Sequence, residues 1–174
     1  MRIDPRRVVA VGQSGGGYLA LMAGVRVQPR LKAVVSFYGY GDIAGEWYSR
    51  PDAFYLAQQR VTKEDADKLV GEQALSESPP LPRIGFYVYC RQNGRWPQEV
   101  AGLDPDTEAD KFEQYCPERL VSSTYPPTLL LHGDRDTDVP FQMSERMAAA
   151  LSRRGVRAPP VSHGGLRSYV RCLS

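Results

Sequence analysis

Ser14 sits in Gly12-Gln13-Ser14-Gly15-Gly16, a G-x-S-x-G spacing with an apolar run before it and a helix-like run after it. A strand that reverses directly into a helix forces its turn residue into an unfavourable backbone conformation. It also brings the residues two before and two after almost into contact, so little or no side chain fits at Gly12 and Gly16. Such a turn lifts the hydroxyl of Ser14 clear of the sheet, where it is a candidate nucleophile. It also aims the first helical N–H groups, that of Gly15 foremost, at the reacting centre. The competing reading is a glycine-rich turn that binds phosphate at a helix N-terminus. A dinucleotide fingerprint wants glycine where Ser14 stands, and a P-loop wants a lysine before its Ser/Thr; neither is present.

A second constellation is His132-Gly133-Asp134-Arg135-Asp136-Thr137-Asp138-Val139-Pro140. A carboxylate at a strand end can accept the Nδ1–H of a histidine, fix its tautomer and stabilise the imidazolium that forms when serine attacks. Taken with the serine turn, this loop resembles that of the α/β-hydrolase fold, especially its esterase and prolyl-oligopeptidase-like branches, where it reads H-G-x-x-D-x-x-V-P. The resemblance implies that Asp136 is the catalytic acid; its neighbours Asp134 and Asp138 read as loop-capping or solvated charges. His132 is read as a structural residue of the strand end. In the order Ser…Asp…His the base falls on His163, which follows Asp136 a few residues sooner than the family spacing suggests. A one-nucleotide shift offers an alternative: Arg167–Cys172 (RSYVRC) can be back-translated to give Gly-His-Met-Phe-Asp-Ala, similar to the family's Gly-His ending.

The elements that must hold these groups follow from hydrophobic pattern. Arg7–Val11 and Lys32–Phe37 are short β-branched runs without alternation, the pattern of strands buried on both faces of a parallel sheet. Between them Gly15–Val27 carries Leu19, Met22 and Arg26 at helical spacing, with Pro29 beyond, which makes a βαβ unit. Pro127–His132 predicts a third buried strand and Phe141–Arg154 a helix with Met143, Met147 and Leu151 in one row, stopped by Gly155. A fourth strand should follow, but Ala158-Pro159-Pro160 makes a poor one.

Between these regular parts, Thr62 and Asp65 suit the start of a helix through Leu69, Ser76–Pro82 reads as a rigid connector, and Asp104-Pro105 as the start of a helix carrying Phe112 and Tyr115 on one side. The fold class expected is α/β, a parallel sheet flanked by helices. It divides into residues 1–38 and 126–174 as the core (a partial α/β-hydrolase fold) and residues 39–125 as a helical cap insertion.

The insertion is rich in aromatics: Trp47, Tyr48, Phe54, Tyr55, Phe86, Tyr87, Tyr89 and Trp96. These read as the small core of the insertion before they read as an acyl pocket. Tyr38 and Tyr40, directly after the second strand, and Gln13 beside the serine are the better candidates for substrate contact. In the resembled fold a loop among strands that precede the nucleophile strand supplies half the oxyanion hole; with few residues before Arg7, the resemblance leaves the second donor without a visible source. The first strand is then left with an open parallel edge that invites self-association into a homo-oligomer.

The 174 residues suffice for a substantial core, and 42% hydrophobic with 24% charged residues places the chain among globular proteins. A net charge of only +2, with scattered arginines, speaks against nucleic acid as a partner. No apolar run reaches membrane-spanning length, and no signal peptide opens the sequence. Three irregularly spaced cysteines fit reduced thiols of a cytoplasmic protein better than a disulfide or zinc framework. The resemblance implies a serine hydrolase that cleaves carboxylic esters, with no metal and no cofactor. The alternatives are a serine peptidase of prolyl-oligopeptidase type and an impaired fragment serving as a structural or interaction module.

Overall fold

The β-branched run before Ser14 forms strand β1 (Val9–Gln13), two residues later than its pattern suggested, so that it runs straight into the reversal. The computed structural model describes residues 4–71 and 80–161. Helix α1 (Gly15–Arg26) and strand β2 (Ala33–Phe37) complete the βαβ unit. Five helices follow: α2 (Glu46–Ser49), α3 (Ala53–Leu56), α4 (Lys63–Asp67), α5 (Pro80–Asn93) and α6 (Trp96–Ala101). Then come α7 (Pro117–Leu120), β3 (Thr128–Leu131) and α8 (Gln142–Arg153).

The chain divides into two compact units, one of Met1–Ile43 with Glu113–Ser174, the other of Ala44–Phe112. In the first, β1, β2 and β3 form a parallel sheet in that order. The register pairs Val11 with Val35 and Val35 with Leu129, so side chains of equal parity share a face. Val34, Ser36, Thr128 and Leu130 point to the covered face and are buried. There they meet Ala20 and Leu21 of α1, Met147, Ala150 and Leu151 of α8, and Tyr125. The Tyr125 hydroxyl donates to the carbonyl of Leu21 at 2.7 Å.

The opposite face departs from expectation. Val9, Val11 and Leu129 are 45%, 64% and 36% exposed, because α1 and α8 both pack against the Val34 side. The apolar runs of β1 and β3 are therefore buried on one face, not on both. A parallel sheet normally carries helices on each side.

Helix α8 follows its pattern closely: Met143, Met147 and Leu151 are buried, and Gly155 ends the helix at φ +68°. No fourth strand forms among the described residues. Where it would start, the Thr128 N–H donates to the carbonyl of Arg157 at 3.0 Å, and the prolines that follow cannot continue the ladder.

The second unit is helical and built around a buried cation. Arg91 of α5 is fully buried, with its guanidinium 4.8–5.9 Å from the ring centres of Trp47, Tyr48, Tyr55 and Tyr87. It also pairs with Asp52 at 3.1 Å. Cation–π attraction and the carboxylate offset the cost of removing the charge from water. Trp96 packs edge-on against Tyr87 at 4.8 Å. These aromatics thus form the unit's own core, as the sequence reading preferred.

Thr62 caps α4 by accepting the N–H of Asp65 at 3.1 Å. Two expectations fail in this stretch. Helix α5 begins at Pro80, inside the supposed connector, because prolines are tolerated in a first turn where no N–H is bonded. Asp104-Pro105 starts no helix: the Asp104 carboxylate accepts the N–H of Asp106 in a turn, and a 3-10 segment follows at Ala109–Tyr115. Residues 76–79 lie outside the described residues.

Candidate active site

Ser14 alone separates β1 from α1, and its backbone takes φ 50°, ψ −124°. That left-handed conformation is rare for a residue with a side chain, and it costs about 1–3 kcal/mol. The cause of the strain is the steric closeness of the reversal. A Cβ on Gly12 would stand 1.9 Å from the carbonyl oxygen of Gly16 and 2.9 Å from the nitrogen of Gly17. A Cβ on Gly16 would meet nothing within 4 Å. The demand for glycine therefore falls on position 12, and the expectation that both positions require it is corrected for Gly16. What crowds Gly12 is the backbone of the helix, which every residue has.

The elbow is tied down by the Ser14 N–H, which donates to the carbonyl of Phe37 at 2.9 Å. The Ser14 side chain makes no capping hydrogen bond to the helix. The first intrahelical donor is the N–H of Tyr18, which bonds the Ser14 carbonyl at 3.0 Å. Gly15 thus opens α1 among the first-turn N–H groups that have no partner inside the helix and form its positive end.

Two glycines that the sequence reading assigned no structural role prove essential to this packing. A Cβ on Gly17 would come within 2.9 Å of the Gly39 Cα, and one on Gly39 within 2.7 Å of the Gly17 carbonyl carbon. The first turn of α1 therefore touches the backbone leaving β2. The three glycines after Ser14 were the available signal.

The candidate substrate contacts cluster at the same strand ends. Tyr38 takes φ 39°, its N–H donates to the Leu131 carbonyl at 2.6 Å, and its hydroxyl donates to Oε1 of Gln13 at 2.7 Å. Tyr40 is buried and stacked on Tyr18 with ring centres 5.3 Å apart. Its hydroxyl lies 3.8 Å from where a Cβ on Gly15 would be.

Asp136 is held from several directions. Oδ1 accepts the N–H groups of Asp138 and Val139 at 2.9 and 3.0 Å, and Oδ2 lies 3.5 Å from Nε2 of His132. Burial alone would push this carboxyl up. The bonds from His132 and the two N–H groups outweigh it and hold the group below the usual carboxylate range, so the loop presents an anion. Asp134 is exposed, and Asp138 serves the loop through its backbone.

His132 itself is fully buried. Its Nε2 lies 3.0 Å from the carbonyl of Val139, which can only accept, so Nε2 carries the hydrogen. Its Nδ1, 2.7 Å from Oγ of Ser144, is then the acceptor for that hydroxyl. Both ring nitrogens are spent on positioning the acid loop. Ser144 is the part of this arrangement that no motif announced.

Because the three strands are parallel, the elbow after β1 and the acid loop after β3 emerge at the same end of the sheet, with β2 between them. Two strand spacings amount to about 10 Å. An imidazole with one hydrogen bond at each nitrogen bridges roughly 8 Å, so a histidine entering from above could join the two groups. His163 lies outside the described residues. Among the described residues, no group of three or more His, Cys, Asp or Glu side chains is placed to hold a metal ion. No helix among them is long and apolar enough to cross a membrane.

Residues 86–160 match the prolyl oligopeptidase family. The non-reducing polyketide synthase Preu3 of Preussia isomera is 28% identical over 199 residues, covering 91% of this chain and 8% of the synthase. A relative from a Phoma strain, named "Probable carboxylesterase M8", is 28% identical over 170 residues, covering 91% of this chain and 50% of its own length. A solved structure of a Staphylococcus aureus protein of unknown function superposes with a TM-score of 0.72 at 21% identity, over 97% of this chain and 58% of that one. Pyrococcus horikoshii acylaminoacyl peptidase does so with a TM-score of 0.58 at 18% identity, over 92% of this chain and 20% of that one. The chain thus spans less than a tenth of the synthase and half of the carboxylesterase relative. The parallel three-stranded sheet, the strained reversal at Ser14 and these likenesses together identify the chain as having the α/β-hydrolase fold.

Proposed function

We propose that this chain carries a serine hydrolase site that cleaves carboxylic esters through an acyl-enzyme. Ser14 attacks the ester carbonyl, while a histidine, His163 in the order of the chain, takes its proton and returns it to the leaving alcohol. Asp136 orients that histidine and stabilises its charged form. The Gly15 N–H donates to the developing oxyanion, and water then releases the acyl group. Gln13, Tyr38 and Tyr40 border the substrate.

The observation that carries this reading is the backbone of Ser14. Strain of this kind, with a hydroxyl that caps nothing, is retained where chemistry requires the side chain to stand proud. The carboxylesterase relative supports an ester substrate. The prolyl oligopeptidase match over residues 86–160 favours a second reading, a serine peptidase working with the same residues.

A fluorophosphonate probe tests the site. Labelling of the native chain that disappears in Ser14→Ala is the expected result; absence of labelling in a folded chain would leave a module without hydrolase activity. Short p-nitrophenyl esters set against N-acylated peptide anilides then divide esterase from peptidase, and faster ester turnover is expected.

A further inference from the structure

One feature of the first unit lies outside the proposed hydrolase site. Between α7 and α8 is a cleft of about 470 Å³, within the size range of small-molecule sites. Its lining includes four arginines, Arg119, Arg146, Arg153 and Arg154, with Glu118 and a floor at Val121. Arg146 and Arg153 stand two turns apart on α8, about 10 Å along its axis.

The charges are unevenly matched. Buried Asp42 accepts a hydrogen bond from Arg146 at 3.0 Å and lies 3.8 Å from Arg119. Glu118 also pairs with Arg146, while its second oxygen, Oε2, is buried without a hydrogen-bond partner among the described residues. Arg153 and Arg154 have no carboxylate partner there. Four guanidinium groups against two carboxylates leave an excess of two positive charges around one concavity. Helix ends attract arginines for their dipole alone, which accounts for Arg153 and Arg154 singly. It does not account for their sharing one concavity with Arg119 and Arg146, which Asp42 and Glu118 hold in place.

We propose that this cleft binds a phosphorylated small molecule. The phosphoryl group, carrying close to two negative charges, sits against Arg153 and Arg154, whose planar forks suit phosphate oxygens. The organic part lies over Val121, Ala149 and Ala150. The proposal does not depend on the ester-hydrolase reading, since none of these residues belongs to that site.

The test is calorimetric titration of the full chain with glycerol 3-phosphate and with inorganic phosphate at constant ionic strength, sodium chloride making up the balance. Saturable one-site binding is expected, tighter for the phosphate ester. Arg153→Gln/Arg154→Gln should weaken it by roughly tenfold or more, the loss of charge-assisted hydrogen bonds. The double variant alters only exposed side chains, and an unchanged circular dichroism spectrum certifies its fold. No saturable binding at millimolar concentration, or binding that the double variant retains unchanged, overturns the proposal. Inorganic phosphate binding as tightly as the ester overturns the assignment of an organic ligand.

Discussion

Gly12→Ala is the perturbation that tests the elbow most directly. The added methyl carbon would lie 1.9 Å from a backbone oxygen of α1, whereas contacts below 3.0 Å are essentially never seen. The overlap is more than 1 Å, and no side chain can rotate to relieve it, so either β1 or the start of α1 must move. Overpacking costs typically 1–3 kcal/mol. A backbone-on-backbone clash belongs at the top of that range, so the loss is about 3 kcal/mol out of the roughly 5–15 that hold a domain together. With a urea dependence of about 2 kcal/mol per molar, the unfolding midpoint falls by about 1.5 M. A displacement of about 1 Å at the hydroxyl should also slow fluorophosphonate labelling by on the order of a hundredfold. Gly16→Ala is the control: its Cβ faces open space, and alanine favours a helix over glycine by up to about 1 kcal/mol. Equal midpoints for wild type and Gly12→Ala, or equal damage from the two variants, would refute the steric account.

Asp136→Asn should destabilise the chain at neutral pH by about 1–3 kcal/mol, because the amide sets an N–H against the Nε2–H of His132. The folded-state value of Asp136 lies below its ordinary 3.8, so its stabilising effect is present above that pH and lost as pH falls through the lower folded value. The gap between variant and wild type should close below pH 3.8, which denaturation at stepped pH would show. If the hydrolase reading holds, the same variant should lose ester hydrolysis by roughly 10⁴ at neutral pH. Arg91→Ala leaves Asp52 and four rings around a void and should cost the second unit about 3 kcal/mol, read as early proteolytic cleavage within residues 44–112. Resistance equal to wild type would contradict the cation-centred core. Burial pushes the thiols of Cys90 and Cys116 up to about 12, so iodoacetamide at pH 8 should reach them only in denaturant; labelling of either in the native chain would show the packing to be looser. Finally, we propose that the outer edge of β1 and the bare face at Val11 drive self-association. Light scattering should show mass rising with concentration, less so in Val11→Glu, and a monodisperse monomer at every concentration would exclude it.

What the sequence determined by itself is local. Steric crowding around one turn depends on a few adjacent residues, so Gly12-Gln13-Ser14-Gly15-Gly16 announced the reversal, although only coordinates revealed that the space is denied at Gly12 and open at Gly16. The row Met143, Met147, Leu151 and the cap at Thr62 were equally legible, since helix periodicity and capping act within one or two turns. Tertiary structure decided everything that depends on which distant residue arrives. Arg91 reads as a surface residue until three rings from α2 and α3 close over it beside Tyr87 of its own helix. His132 becomes a positioning residue through Ser144, twelve residues on and one helix away. A run such as VVAV specifies a strand but not how many of its faces are covered, because covering helices come from elsewhere in the chain. Here both α1 and α8 settle on the Val34 side, and Val11 on the other remains exposed.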